Sequence, residues 1–326
     1  MMHEIISSHK LRTGEEMSTL RVMAPDTEYK ESILSLIGHK ESFWLLPVSE
    51  AMDGKITGIR VFCYLALLGD QIVGNITTTE TLENPIGIFQ HVYTRPEHRR
   101  KGIASFLTQD VLNDFKSRRG RVLYLGTSYG SEAHRIYLKY GFHDIGDRTG
   151  RMRFLLEEGF DEKYFGGKET RVAAADWEHW PGVNVLFSIE EGWYMRSIVF
   201  GSFGVSGFEG DYINLMLSLR KKRIKDAKVL TSENAIVGLA FLMPDPRWKY
   251  DVSILDFFVH PHFISDTPKL INALEFGTGK IQSFAENKVR ARILEECGFS
   301  HEATLKDQLI CPSQGSLDVL IYSRRP

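Results

Sequence analysis

The chain of 326 residues contains little cysteine, no long apolar run and no excess of charge of either sign. Its three cysteines, Cys63, Cys297 and Cys311, are far apart and odd in number, so they suggest neither a disulfide framework nor a metal site. We expect free thiols in a reducing compartment. No run of about eighteen apolar residues and no signal peptide occur, so the sequence predicts a cytoplasmic protein that does not span a membrane.

Charge and length limit the class of protein further. The 40 basic and 42 acidic residues give a formal net charge of −2, so no global field favours nucleic acid or an anionic membrane as a partner. The length and the 43% apolar content predict two cores rather than one. We expect a polar N-terminal tail at 1–17, a first domain at 18–157, a linker at 158–169 and a second domain at 170–326.

The most informative stretch is VYTRPEHRRKGIA at 92–104. Residues 86–94 predict a strand, and the segment after it has apolar residues at helical spacing, namely Ile103, Phe106, Leu107, Val111 and Phe115. Residues 99–104, the basic turn, join the two. The first N–H groups of a helix lack partners and lie at the positive end of its dipole, so this turn suits an anion such as pyrophosphate. An exposed turn that caps an ordinary helix is the alternative.

A second strand and helix follow at 121–128 and 131–142. The helix places four residues on one face and ends at Gly141: Ala133, Ile136, Tyr137 and Tyr140. An Arg-x-x-Gly-x-Ala turn after VYTRP, then a strand, a helix and an A-x-x-x-Y-x-x-x-G-F segment, resembles the GNAT superfamily of acetyl-CoA-dependent N-acetyltransferases. The resemblance covers roughly 18–157. It departs from the family at Gly130, where an Asn is often found.

The resemblance implies an α/β (α+β) fold, with a mixed, mostly antiparallel sheet flanked by helices. It implies an acyltransferase that uses acetyl-CoA and no metal, transfers groups other than aminoacyl, and acetylates a primary amine of a small molecule or peptide. In the family the pantetheine arm pairs with the strand before the turn, which maps to Val92, Tyr93 and Thr94. The pyrophosphate then maps to the basic turn, at Arg99, Arg100, Lys101, Gly102, Ile103 and Ala104. A tyrosine that protonates the leaving thiolate maps to Tyr137.

The residues themselves leave several roles open. Tyr137 is equally a core aromatic of an amphipathic helix. His91 could act as general base, but strict alternation puts it on the strand face opposite Gln90, unless a bulge intervenes. Glu80 and a water chain are rivals, since an amine can also arrive neutral. The aromatic cluster at 38–59, with Phe43, Trp44 and Asp53, suits either an amine acceptor or a lid packed on the core.

The second half of the chain repeats the first in weak form. TLRVMAPDTE is echoed by ETRVAAADWE, DQIVGNI by NAIVGLA, FQHVYTRP by LDFFVHP, and YLKYGFHDIG by LEECGFSHEA, in the same order. The basic turn is lost, because Arg99, Gly102 and Ala104 correspond to Ile264, Thr267 and Lys269. Leu294 takes the place of Tyr137. These correspondences predict two GNAT-like lobes in tandem, the second degenerate and structural.

Three uses of the second lobe follow from this interpretation. It could cover one face of the first lobe's sheet, wall the acceptor site or form a homodimer contact. Its aromatic stretch at 177–211 suits either a core between the lobes or an acceptor surface. Two alternative functions for the whole chain stay open, a non-catalytic acyl-CoA-binding sensor or scaffold and a transferase of another acyl group.

Overall fold

The computed structural model describes residues 3–248 and 251–325. The chain divides into two compact units, Met1–Phe160 and Asp161–Pro326. Each unit contains one large, mostly antiparallel sheet flanked by helices, so the predicted fold class is confirmed. Among the described residues there is no helix long and apolar enough to cross a membrane. The three cysteines are buried and free.

The first unit is built on an eight-stranded sheet with the order β1-β2-β3-β4-β5-β6-β8-β7. Four helices flank it, and α5 follows at the unit boundary. The elements are β1 (His3–Lys10), β2 (Glu16–Met23), α1 (Lys30–Ile37), α2 (Ser42–Met52), β3 (Ile59–Leu68), β4 (Gln71–Thr81), β5 (Ile86–Thr94), α3 (Ile103–Ser117), β6 (Val122–Gly126), α4 (Glu132–Lys139), β7 (Phe142–Ile145), β8 (Arg151–Leu155) and α5 (Phe160–Tyr164).

Each face of this sheet has its own core. On one face α3 buries Ile103, Leu107, Val111 and Phe115 against β3, β4 and β5, which is the helical spacing that the sequence predicts. On the other face α1 and α2 cover β2 and β3, with Ile33, Leu36 and Met52 buried. Neighbouring side chains of one strand therefore pack in different cores, and the face on which a side chain lies decides which helices it contacts.

The prediction of a polar tail at the N-terminus is wrong for the described part of that segment. Residues 3–10 form β1, which pairs antiparallel with β2 at the sheet edge. Ser7, His9 and Thr19 all hydrogen-bond the Asp110 carboxylate of α3, at 2.6, 2.8 and 2.6 Å. A polar edge strand has little apolar alternation to detect, which explains the error. Residues 1 and 2 lie outside the described residues.

The second unit has a seven-stranded sheet with the order β16-β17-β15-β14-β13-β12-β9 and a separate two-stranded hairpin, β10-β11. Its elements are β9 (Thr170–Ala174), α6 (Trp180–Ser188), β10 (Met195–Ser197), β11 (Ser202–Phe203), α7 (Glu209–Arg220), β12 (Asp226–Ser232), β13 (Ala235–Pro244), β14 (Val252–Val259), α8 (Thr267–Asn272), β15 (Lys280–Ala285), α9 (Lys288–Glu296), β16 (Ser300–Cys311) and β17 (Gly315–Arg324).

The two large sheets have the same strand order once β1 is set aside. Each has one parallel pair, β5 with β6 and β14 with β15, and all its other pairs are antiparallel. In each unit, each strand of the parallel pair is followed by its own α-helix: α3 and α4 in the first unit, α8 and α9 in the second.

The aromatic stretch at 177–211 packs inside the second unit. Trp177 contacts Trp180 and Tyr212, and Phe187 contacts Phe208. These rings therefore build the core of their own unit. The predicted linker is partly helical, because α5 begins at Phe160, which is 1% exposed.

Candidate active site

A bulge in β5 decides which side chains share a face. Asn75 of β4 pairs with Tyr93, but Thr77 pairs with Gln90, so Ile76 lies opposite two residues, His91 and Val92. His91 has a φ of 53°, in the left-handed region that non-glycine residues rarely adopt. Strict alternation therefore fails at this point, as the sequence allowed.

The bulge brings Gln90, His91 and Tyr93 to the face covered by α1 and α2. Gln90 accepts a hydrogen bond from Thr79 at 2.8 Å, and the Tyr93 ring stacks on His39 at 4.5 Å. Val92 packs on the other face, in the core under α3. Because of the bulge, Gln90 and His91 lie on the same face of the sheet, not on opposite faces as strict alternation predicts.

His91 is a buried, uncharged base with a free ring nitrogen. Its side chain is 3% exposed, and Nδ1 has no hydrogen-bond partner within the described residues. Burial, and then the charges of Lys40 and His39, lower its pKa to about 3. The Trp44 ring lies edge-on to it at 6.1 Å. A neutral imidazole in this position can accept a hydrogen bond but holds a proton poorly.

β5 and β6 separate after a short parallel pairing. They pair only at Ile86 with Val122, Gly87 with Leu123 and Ile88 with Tyr124. From Phe89 to Thr94 the edge of β5 that faces β6 carries no strand pairing, although β4 pairs with the opposite edge. Strand pairing thus leaves backbone groups on that edge for an extended ligand, although the Thr94 carbonyl already accepts a hydrogen bond from Arg99 Nε. Val92, Tyr93 and Thr94 belong to this edge.

The basic turn follows directly and begins α3. Arg100 and Gly102 have φ values of 63° and 98°, and Gly102 is the N-cap of α3 without a side-chain cap. The N–H groups of the first helical turn thus lack an intrahelical partner. A Cβ on Gly102 would meet Phe106 at an ordinary 3.6 Å, so the backbone conformation, rather than lack of space, requires glycine here.

The cations of the turn are only partly engaged. Arg99 Nε donates to the Thr94 carbonyl at 3.1 Å, and Lys101 forms an ion pair with Glu15 at 2.9 Å. Arg100 is exposed. Two buried polar atoms beside the turn, Thr94 Oγ1 and His98 Nδ1, have no partner in the described residues. Orphaned polar atoms, free helix N–H groups and exposed guanidinium groups fit a phosphate-bearing ligand such as acetyl-CoA.

Tyr137 lies where the two strands separate. Its ring packs edge-on against Phe89, the first residue of β5 beyond the parallel pairing, with centroids 5.6 Å apart. The side chain is 5% exposed, and burial is the sole cause that raises the pKa of its hydroxyl. Tyr137 therefore belongs to the core, and its ring contacts β5 at the residue where β5 and β6 cease to pair.

Glu80 is occupied by a buried ion pair on the opposite face of the sheet. Its side chain is 0% exposed, and both carboxylate oxygens accept hydrogen bonds from Arg118, Oε1 at 3.0 Å. Thr78 donates to the same Oε1 at 2.6 Å. These contacts remove Glu80 from the face that carries His91.

The region 38–59 divides between packing and the site. Leu45, Val48 and Met52 pack in the core under α1 and α2, and Asp53 is paired with Lys30 and Lys55 at 2.7 and 2.9 Å. Trp44 extends toward His91. Asp53 therefore serves as a partner for two lysines, and Trp44 is the aromatic residue of this region that contacts His91.

Sequence reasoning missed Asn75. Its Nδ2 donates to the His91 carbonyl at 3.1 Å and so fixes the bulged backbone, while its Oδ1 is buried without a partner among the described residues. A signal was present, because Asn75, Thr77 and Thr79 alternate along β4 as polar residues that are at most 2% exposed. A polar stripe on one face of a buried strand indicates a site rather than a core.

Within its described residues, the second unit has neither the basic turn nor a tyrosine in the place of Tyr137. Ile264 lies in a short 3-10 helix, Thr267 begins α8, and Leu294 is buried. Lys269 donates to the backbone of Thr170. The described part of the chain contains no group of three or more His, Cys, Asp or Glu side chains placed to hold a metal.

A family model agrees with the geometry of the first unit. Residues 60–144 match the model described as an acetyltransferase (GNAT) domain. These residues form a GNAT acetyltransferase domain. The predicted family is therefore confirmed for this segment, together with the predicted enzyme class, an acyltransferase.

Solved GNAT structures resemble part of this chain at low identity. A ribosomal-protein-S5-alanine acetyltransferase from Vibrio fischeri is 15% identical, with a TM-score of 0.36, over 48% of this chain and 93% of its own. A Salmonella typhimurium acetyltransferase structure with acetyl-CoA is 13% identical, with a TM-score of 0.38, over 48% and 94%. A spermidine N-acetyltransferase chimera from Vibrio cholerae is 15% identical, with a TM-score of 0.35, over 48% and 96%. No curated protein matches the chain.

Proposed function

We propose that the first unit transfers the acetyl group of acetyl-CoA to a primary amine of a small molecule or peptide, in the cytoplasm. The observation that carries this proposal is the meeting of three features: the unpaired edge of β5, the uncapped N-terminus of α3 at Gly102, and Tyr137 at the separation of β5 and β6. A binding protein would need only the first two.

Two groups of residues would hold the co-substrate. The basic turn would bind the pyrophosphate through the free N–H groups of α3, with Arg99 and Arg100 adding charge. The backbone of Val92, Tyr93 and Thr94 would pair with the extended arm and orient the thioester carbonyl. Both groups belong to one continuous segment, so a single strand-turn-helix unit fixes the distance between phosphate and thioester.

Tyr137 would supply the proton that the leaving thiolate needs. A tyrosine hydroxyl is protonated at neutral pH, and burial raises the pKa of Tyr137 further above the value of about 8.5 for a free thiol. The hydroxyl would therefore first stabilise the departing thiolate by donating a hydrogen bond, and the tyrosinate left by proton transfer would take its proton back from solvent.

His91 would accept a hydrogen bond from the amine rather than take up its proton. An aliphatic ammonium has a pKa of about 10, whereas the pKa of His91 is about 3. Proton transfer from the ammonium to His91 is therefore strongly uphill. The amine would therefore bind as the neutral base or release its proton to water. His91 Nδ1 would then direct the lone pair of the nitrogen toward the carbonyl.

The second unit would be a degenerate GNAT-like lobe. Its shared strand order and single parallel pair support this interpretation, as do the lost turn and Leu294 in place of the tyrosine.

The test is to incubate the full chain with acetyl-CoA and a panel of amines, polyamines, amino sugars and short peptides, and to measure free thiol. Thiol release that depends on one class of amine supports the proposal and names the acceptor. Binding of acetyl-CoA without turnover on any acceptor would favour a sensor instead. Faster turnover with a longer acyl-CoA would mean that the enzyme transfers a longer acyl group instead of acetyl.

A further inference from the structure

A preformed apolar cleft lies in the second unit, which carries none of the residues proposed for catalysis. Its volume is about 500 Å³, within the range of small-molecule sites. The hairpin contributes Ile198, Val199 and Phe203 to one wall, and the sheet contributes Met243, Ile254 and Phe284. A lining of branched, aromatic and thioether side chains offers dispersion contacts and little hydrogen bonding.

The hairpin wall is held in place by a buried ion pair. Asp256 of β14 and Arg290 of α9 are both fully buried, 3.1 Å apart. Arg290 donates to the Met195 carbonyl at 2.6 Å, while the Ser197 hydroxyl and the Val199 N–H donate to Asp256 at 2.7 and 3.0 Å. A buried ion pair with most of its groups satisfied fixes geometry more than it adds stability. Asp256 and Arg290 therefore hold the hairpin wall on the sheet, and these contacts oppose collapse of the cleft.

The two ionisable residues of the described lining neutralise each other. Arg247 grips the Asp245 carboxylate with Nε at 2.8 Å and a terminal nitrogen at 2.7 Å, and the Asp245 side chain is 1% exposed. Arg247 also holds the pKa of Asp245 below its usual range. Gln308 is the remaining polar side chain among the described residues of the lining. Within that part of the lining, no uncompensated charge is left to attract an ionic ligand.

We propose that this cleft binds an uncharged, apolar small molecule. The ligand would lie on Ile254 and Phe284 and be enclosed by the hairpin, with one polar atom at most directed to Gln308. This site is separate from the acetyl transfer site and does not depend on it.

The experiment titrates the full chain with N-phenyl-1-naphthylamine, an uncharged aromatic probe that fluoresces in apolar surroundings. Val199→Trp fills the cleft and should weaken probe binding at least tenfold, about 1.4 kcal/mol. Ile310→Trp is the matched control, because Ile310 is 76% exposed and does not line the cleft. The control should bind like the parent. No saturable signal in the parent, or equal binding by both variants, would overturn the proposal.

Three further measurements keep the result clear. If circular dichroism shows that Val199→Trp does not fold, Leu305→Trp, at a rim position that is 36% exposed, takes its place. The anionic probe 1-anilinonaphthalene-8-sulfonate should bind more weakly than the neutral probe, and equal or tighter binding would contradict the uncharged class. Acetyl-CoA should not displace the neutral probe, since displacement would assign the signal to the first unit and overturn the site.

Discussion

Tyr137 packs in the core and is also the proposed general acid, and the two roles can be separated by removing a single oxygen. Tyr137→Phe keeps the ring against Phe89 and Phe142, so folding and acetyl-CoA affinity should change little. We expect kcat to fall roughly a hundredfold with KM nearly unchanged, if general acid catalysis contributes its usual share. Steady-state kinetics on an acceptor whose chemistry is rate-limiting measures this.

Tyr140→Phe provides the matched control at the residue that directly follows α4. Tyr140 packs at the edge of the core under α3 and has no place in the proposed transfer, so its variant should retain the parent rate. A Tyr137→Phe enzyme that turns over within about threefold of the parent would reduce Tyr137 to a core aromatic.

His91 gives the stability a dependence on pH whose sign can be worked out. An unfolded histidine binds a proton below about pH 6.5, whereas folded His91 binds one only near pH 3. The unfolded state therefore binds more protons in this window, and each unit of falling pH should remove up to about 1.4 kcal/mol of unfolding free energy. Denaturant unfolding of the parent and His91→Gln between pH 7 and about pH 4 measures the difference.

The comparison isolates His91 because the same loss through His260, whose pKa burial lowers to about 4, remains in both proteins. The parent should lose more stability than the variant as the pH falls. Equal slopes would mean that His91 titrates like an exposed histidine. The proposal also requires that kcat/KM show no inflection from His91 near pH 6.5, since its neutral form persists throughout.

Glu80 tests the difference between a structural and a catalytic carboxylate. Glu80→Gln leaves Arg118 with one of its two carboxylate partners, Asp114, so the unfolding free energy should fall by about 3 kcal/mol, near the lower end for a broken buried pair. Activity per folded molecule should not change. Glu83→Gln, at an exposed position two residues beyond β4, should alter neither quantity. A lower kcat in folded Glu80→Gln would return Glu80 to the site.

The elements of the site were largely predictable from local patterns. Residues 86–94 carry β-branched residues at alternate positions, interrupted at Gln90, and apolar residues from Ile103 to Phe115 recur at helical spacing. The strand and the helix form at those positions. The bulge at His91 was not predictable, because an extra residue in one strand depends on its pairing with β4 rather than on its own sequence. Edge strand β1 was missed for a related reason, since its hydrogen bonds to Asp110 join residues a hundred positions apart.

The strand-turn-helix unit around Gly102 can be tested as one element. Gly102→Asp places a carboxylate at the N-cap, where the proposed pyrophosphate lies, so acetyl-CoA affinity should fall at least tenfold, about 1.4 kcal/mol. Isothermal titration calorimetry measures this affinity. Gly315→Asp is the control, because Gly315 has a φ of 78° and nothing within 4 Å of an added Cβ. It introduces similar backbone strain in the second unit, which contains no part of the basic turn.

If both variants lose affinity equally, general destabilisation explains the result and the basic turn does not bind the pyrophosphate. If neither does, the anion lies elsewhere. Loss in Gly102→Asp alone supports the proposed position.

For the whole chain, the repeat could be inferred from four short echoes, while the use of each half could not. The shared strand order of the two units depends on pairing between strands that are far apart in sequence. The short echoes indicate a repeat but do not specify this pairing. The aromatic stretch at 177–211 was ambiguous because its composition predicts buried rings but does not say which surface covers them. Their contacts with one another and with Phe241, Phe257 and Phe258 assign them to the core of the second unit.

The last prediction concerns the number of co-substrate sites in the whole chain. In the second unit β14 and β15 also pair at only three positions, but the hairpin segment hydrogen-bonds to Asp256 of β14 and to Glu286 beyond β15. No glycine turn precedes α8. Calorimetry should therefore find one acetyl-CoA per chain, and hydrogen exchange should show new protection in β5, α3 and α4 alone. Two equivalent sites, or protection in β14 and α8, would contradict the assignment of a single working lobe.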